Sequence, residues 1–364
     1  MHGTPYTKED FGRNPLMFYY EITRACDLVC KHCRASAQST PAPDELSPEQ
    51  SRKLIDQVAT FPRKPTLCFT GGDPLKRADL FDLIKLAHSH GIQTALTPSA
   101  TPLATREKFL LAKEAGVNAI GLSLDGPDAD LHDSFRGFEG SFEQTRNMLA
   151  WSRELCLPVQ VNTSLTASNV DRLDEIATLL AHEGIAIWSV FFLVPVGRGR
   201  DEHRITKEQY LHVFEKLFNL SREMPYAIKT TEAPHYRRYV LEHGGDPLAV
   251  PQKVTREMSA EAVHRAGEHR APLGITDGRG IMFTGHNGEI YPAGFLPLSC
   301  GQFPRDSVVE VYQNHPLFRK LRTPSQFGGI CGTCSWNDVC GGSRARAFAT
   351  CGDPLGPEPD CPFF

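Results

Sequence analysis

From Leu16 to Val194 the chain alternates short apolar, β-branched runs with longer stretches whose apolar residues recur at helical spacing. The runs Met17–Thr23, Thr66–Thr70, Gln93–Thr97, Ala119–Leu124, Val159–Ser164 and Ile187–Leu193 are expected as strands. Between them Pro48–Thr60, Asp79–His90, Thr105–Ala115, Phe142–Glu154 and Val170–Glu183 are expected as helices. Ser47-Pro48-Glu49-Gln50 is a strong start signal, with a serine cap, proline at the first position and a glutamine three residues after the cap. Gly91, Gly116 and Gly184 each follow a helical run, where a left-handed residue ends the coil. Strands alternating with helices predict an α/β fold with a parallel sheet. Periodicity alone leaves a doubly wound sheet and a βα barrel equally open.

In either fold, ligands gather at the carboxyl ends of the strands. The segments expected there are Cys26–Cys33, Gly71-Gly72-Asp73-Pro74, Pro98-Ser99, Asp125-Gly126-Pro127 and Pro195–Gly199. The first connection, about Arg24 to Pro65, far exceeds a usual βα link, so that loop is expected to carry function. Beyond residue 200 the character changes. Lys207–Arg222 and His235–His243 read as helices, and Gly244–Pro251 as a linker or loop. Gly285–Tyr291 reads as a tight hairpin opening a glycine- and cysteine-rich region. The expected divisions are 1–200, a helical linker over 201–273, and a small C-terminal domain over 274–364.

Composition narrows the function. The 364 residues carry 39 basic and 43 acidic side chains, a net charge of −4, so no basic excess points to nucleic acid. No apolar run reaches the ~18 residues of a membrane span, and no signal peptide is visible, so a cytoplasmic protein without a membrane partner is expected. Eleven cysteines are the anomaly. Three fall within Cys26–Cys33 and six between Cys300 and Cys361, with only Cys68 and Cys156 between. Clustering at both ends of a large chain of this kind points to metal or iron–sulfur ligation rather than a disulfide scaffold. Cys68 and Cys156 are expected in the core.

Cys26, Cys30 and Cys33 form C-x3-C-x2-C in the long first loop. Three thiolates at this spacing suit three irons of a four-iron cluster, leaving one iron open. Zinc-binding or purely structural cysteines are the alternative. With these residues the chain resembles a radical S-adenosylmethionine (SAM) enzyme. That resemblance implies a partial (β/α)6 TIM-type barrel and a [4Fe–4S] cluster whose open iron chelates SAM. It further implies reductive cleavage to a 5′-deoxyadenosyl radical that abstracts hydrogen from substrate. His32 occupies the family's aromatic position beside adenine, and Gly71-Gly72-Asp73-Pro74 resembles its GGEP turn, with Asp73 one methylene shorter. Ser99, Ser123, Asp125, Arg136, Asn162 and Val194 match further SAM-facing positions, Arg136 as partner of the methionine carboxylate.

Cys331, Cys334 and Cys340 make C-x2-C-x5-C, with Cys361 farther on. Four thiolates of this kind hold zinc or a second cluster. The pattern is similar to the SPASM/twitch extension of radical SAM enzymes, which implies one auxiliary [4Fe–4S] cluster. Pro292-Ala293 and Cys340-Gly341-Gly342-Ser343 lack cysteines found in fuller versions. Cys300 and Cys351 have no assigned role, and Arg344 and Arg346 are open between substrate binding and packing. The wording is nearest to enzymes that modify heme side chains, with peptide-maturing enzymes also similar. The implied substrates are therefore a tetrapyrrole propionate or a peptide side chain, and the implied electron donor is a flavodoxin or ferredoxin. A non-catalytic electron carrier or a zinc-stabilised binding protein is the alternative class.

Overall fold

The computed structural model describes residues 5–249 and 273–364. The end of the Gly244–Pro251 linker and the last third of 201–273 lie outside the described residues. All six expected strands are present: β1 (Met17–Glu21), β2 (Thr66–Thr70), β3 (Thr94–Leu96), β4 (Ala119–Ser123), β5 (Val159–Leu165) and β6 (Ile187–Phe192). They pair in parallel and in chain order, and the sheet continues at both edges. On one side β7 (Ala227–Thr231) pairs in parallel with β6. On the other, β8 (Ile281–Thr284) pairs in parallel with β1, and β9 (Glu289–Tyr291) and β10 (Gly301–Gln302) follow antiparallel.

This order decides the architecture. A doubly wound sheet reverses its strand order at a switch point, whereas right-handed crossovers between successive neighbours put every helix on one face. Phe18, Tyr20, Leu67, Phe69, Val161, Trp188 and Val190 face that helical layer and build the main core. The alternate positions, among them Thr70, Asn162, Ser164 and Thr231, look into a single cavity of about 300 Å³. Residues of β1, β2 and β4 to β8, with the loop after β3, line the same space, so the sheet curls into a partial barrel.

The helical connections follow the expected signals. Ser47 caps the helix Pro48–Val58: its hydroxyl accepts from the Gln50 amide, whose side chain accepts from the Ser47 amide in return. Ala129–Arg136 forms a helix that the pattern did not predict, capped by Asp128. The stretch read as a helical linker likewise holds a strand, β7. Its sequence Ala-Ile-Lys-Thr-Thr has too little apolar content to announce itself. The C-terminal hairpin joins the main sheet through β8 rather than standing apart.

Candidate functional site

The long loop after β1 is pinned at its base before it presents any cysteine. The amides and carbonyls of Cys26, Gln38 and Arg24 form a bridge, and one Glu45 carboxylate oxygen accepts from Thr23 Oγ1 and the amides of Arg24 and Ala42. Arg198, from the turn after β6, donates to the carbonyls of Cys30 (2.8 Å) and Ala37 (3.1 Å), while its amide donates to Cys33. Gly197, at φ +56°, brings that turn so near that a Cβ would stand 2.4 Å from the Cys33 carbonyl. The Gly71-Gly72 turn docks the same way, with the Gly72 amide on Thr23 and the Asp73 amide on Ala25. A Cβ at Gly72 would lie 2.4 Å from the Ala25 carbonyl.

Cys26, Cys30 and Cys33 thus reach the cavity mouth together, with His32, Gly71, Gly72, Ser99, Ser123, Arg136 and Asn162 on its wall. The Cys26 sulfur accepts from the Leu28 amide (3.4 Å), Cys33 from the Ala37 amide (3.4 Å), and Cys30 from Arg136 (3.8 Å). Burial pushes the Cys26 and Cys30 thiols up, although Ser99 and Arg136 oppose this. His32 stacks on Phe135, and burial beside Arg136 keeps its ring neutral. His32 Nδ1 and Arg136 Nε have no protein partner.

Three expected contacts stand behind the wall instead. Asp73 is fully buried, and its oxygens accept from the Leu75 amide, the Ser99 amide and Thr101 Oγ1. It braces one loop against the next, and a shorter acid suits that internal span. Asp125 is ion-paired with Arg136 and accepts from the Ser164 amide at 2.7 Å. Val194 packs among Ala293, Leu296 and Ala345, and its carbonyl accepts from Val196.

The second cysteine set also converges. Cys331, Cys334, Cys340 and Cys361 line one small hollow. The sulfurs of Cys331, Cys334 and Cys340 accept from the amides of Glu358, Trp336 and Gly342, and Cys361 receives the Phe363 amide. Seven cysteines therefore sit as hydrogen-bond acceptors, the role that suits a thiolate. Cys300 does the opposite, its thiol donating to the Leu298 carbonyl. Among the described residues, no three Cys, His, Asp or Glu side chains close on a point that would hold a single metal ion. Cys68 is buried on β2, but Cys156 is exposed, contrary to its expected core position, because it occupies a left-handed turn after a helix. Cys351 is exposed as well.

Arg344 and Arg346 pack internally. Arg344 donates to the Gly356 carbonyl and approaches the Cys331 sulfur; Arg346 pairs with Glu358 and donates to carbonyls of Phe192 and Glu232. Glu232 was not foreseen. It lines the cavity at φ +59°, accepts from Ser343 Oγ, and burial beside Asp277 pushes its carboxyl up to about 8. No sequence pattern marks such a residue, since its role depends on two distant segments meeting.

A parallel partial barrel with its cysteine loop over a cavity of mixed polar and apolar lining defines a βα enzyme working at its strand ends. The chain belongs to the radical SAM superfamily, whose model matches residues 20–182. It is 36% identical, over 99% of its length and 90% of the relative's, to the AdoMet-dependent heme synthase of Oleidesulfovibrio alaskensis. The corresponding heme synthase of Nitratidesulfovibrio vulgaris is 35% identical, over 100% of this chain and 96% of that one. Among solved structures, SuiB of Streptococcus suis bound to S-adenosylmethionine shares the fold, with a TM-score of 0.70 at 16% identity. That match covers 96% of this chain and 77% of SuiB. The protein is a radical SAM enzyme, and membership of the superfamily implies SAM and a [4Fe–4S] cluster. Among the described residues no helix is long and apolar enough to cross a membrane.

Proposed function

We propose that Cys26, Cys30 and Cys33 ligate the SAM-binding [4Fe–4S] cluster, and that Cys331, Cys334, Cys340 and Cys361 ligate one auxiliary [4Fe–4S] cluster. The observation that carries this reading is the N–H donor aimed at each of these seven sulfurs. A donor lowers the cost of holding a buried thiolate, and burial otherwise drives the Cys340 thiol up to about 12. When bound, cluster and SAM supply a 5′-deoxyadenosyl radical that takes a hydrogen atom from substrate.

The chain's own part is to hold and orient. The Gly71-Gly72 backbone, Ser99 and Asn162 offer polar groups to SAM, and the Arg136 guanidinium, fixed by Asp125, offers its free Nε to an anion. The substrate is a tetrapyrrole whose propionate side chain undergoes oxidative decarboxylation, supported by the names of the relatives that match the full chain. Ser343 and Ala293 replace two cysteines of fuller SPASM domains, so one auxiliary cluster supports the reaction here. A flavodoxin or ferredoxin of the cytoplasm supplies the electron.

Anaerobically purified protein should carry about eight irons per chain, and the Cys26, Cys30 and Cys33 triple alanine variant about four. The variant should form no 5′-deoxyadenosine with SAM and reductant. An iron porphyrin bearing propionates should lose carbon dioxide and two hydrogens per turnover. Intact clusters that leave porphyrins unchanged but modify a peptide would overturn the substrate reading.

A further inference from the structure

Two cationic side chains line the cavity, a third stands on the same strand face as the cavity-lining Thr231, and the three are not equivalent. Arg34 is paired with Glu21 at 2.8 Å, and Arg136 with Asp125. The third is Lys229 on β7. Ile228 packs against the helical core, so Lys229 and Thr231 face the barrel interior, and Thr231 lines the cavity. In register, Lys229 lies opposite Ser189 of β6, and Ser189 opposite Asn162 of β5, which is on the cavity wall. Its side chain is exposed to water on that face, with Cys68 of β2 within electrostatic reach. Among the described residues no carboxylate pairs with it.

The groups around it leave that charge unanswered. Cys68 of β2 is the titratable neighbour it senses, and burial holds that thiol protonated. Tyr19 of β1 faces Cys68, and burial keeps its hydroxyl protonated too. Glu232, at the end of β7, has its carboxyl pushed up to about 8. An ammonium that faces the barrel with no carboxylate partner is available to pair with an anionic group of a ligand.

We propose that Lys229 binds a carboxylate of the substrate, anchoring it in the barrel below the cysteine loop. The assignment rests on the tetrapyrrole reading, in which the bound group is a propionate. Burial lowers Lys229 to about 8 in the free protein, so the anchor is charged below that pH and fades above it. A bound carboxylate favours the cation and moves the limb upward.

The test is anaerobic absorbance titration of the holoenzyme with iron coproporphyrin, which still carries all its propionates, and with its methyl ester. Wild type should bind the acid about ten- to hundredfold tighter than the ester, the range of a charged hydrogen bond. Lys229→Met should abolish that preference, and Lys229→Arg should retain it. The wild-type preference should decline above about pH 8, and Lys229→Arg should carry it to higher pH. A Lys229→Met protein that keeps the wild-type preference overturns this assignment alone. Failure of wild type to bind either porphyrin overturns the tetrapyrrole reading, and the assignment with it.

Discussion

Gly72 shows how much one missing Cβ decides. Its amide reaches Thr23 while its α-carbon rests against the backbone at Ala25 and Arg24. A methyl there meets carbonyl oxygens rather than the movable end of a side chain. Gly72→Ala should cost about 1–3 kcal/mol in thermal unfolding. It should also lower iron at the first site, because the turn and the cysteine loop support each other. At this scale the convergence of Cys26, Cys30 and Cys33, and of Cys331, Cys334 and Cys340, was legible, since close spacing within one short segment brings the sulfurs to one hollow. Asp73 was legible as an acid in the right turn, but not as a buried brace, because its partners Ser99 and Thr101 come from another loop. Lys229 was not legible at all, as alternation in a weakly apolar strand gives no sign of which face closes over a cavity.

Elements supply the next layer of control. The turn after β6 lies about 165 residues from the cysteine loop in sequence, yet Arg198 fixes the loop's carbonyls. Arg198→Ala should drop iron from about eight toward four per chain by emptying the first site while the auxiliary site stays loaded. Arg198→Lys should restore little, because a single ammonium cannot reproduce two diverging guanidinium bonds. Iron quantification with electron paramagnetic resonance of each reduced cluster checks both. The strongly periodic elements were legible with their caps, as Ser47 and Gln50 illustrate. The helix Ala129–Arg136 and β7 were not, because tertiary packing rather than pattern holds them.

For the whole molecule, the tie between the two ends of the chain is electrostatic as well as hydrogen-bonded. Glu21 on β1 meets Arg34 from the cysteine loop and His286 from the C-terminal hairpin. Burial works against its charge, but these partners outweigh it and hold the carboxyl down to about 2. Its folded value lies below its unfolded value, so the stabilisation is complete above about pH 4.5 and is lost as pH falls toward 2. Glu21→Gln should lower stability by about 3 kcal/mol at neutral pH, with the gap from wild type closing below pH 4.5. Melting midpoints across that range check it. The α/β class was legible from strand and helix alternation, and the family resemblance implied the barrel, whereas the physical choice between barrel and doubly wound sheet needed the strand order.

The place of β8 beside β1 has a consequence for how the protein is made. During synthesis β1 leaves the ribosome more than 250 residues ahead of its neighbour on that side. Until then the strand that carries the cysteine loop offers an unpaired edge, a template for wrong partners. Such distant pairing is slow to form. The loop therefore reaches its final setting only after β8 has been made, so cofactor loading belongs after that point in synthesis.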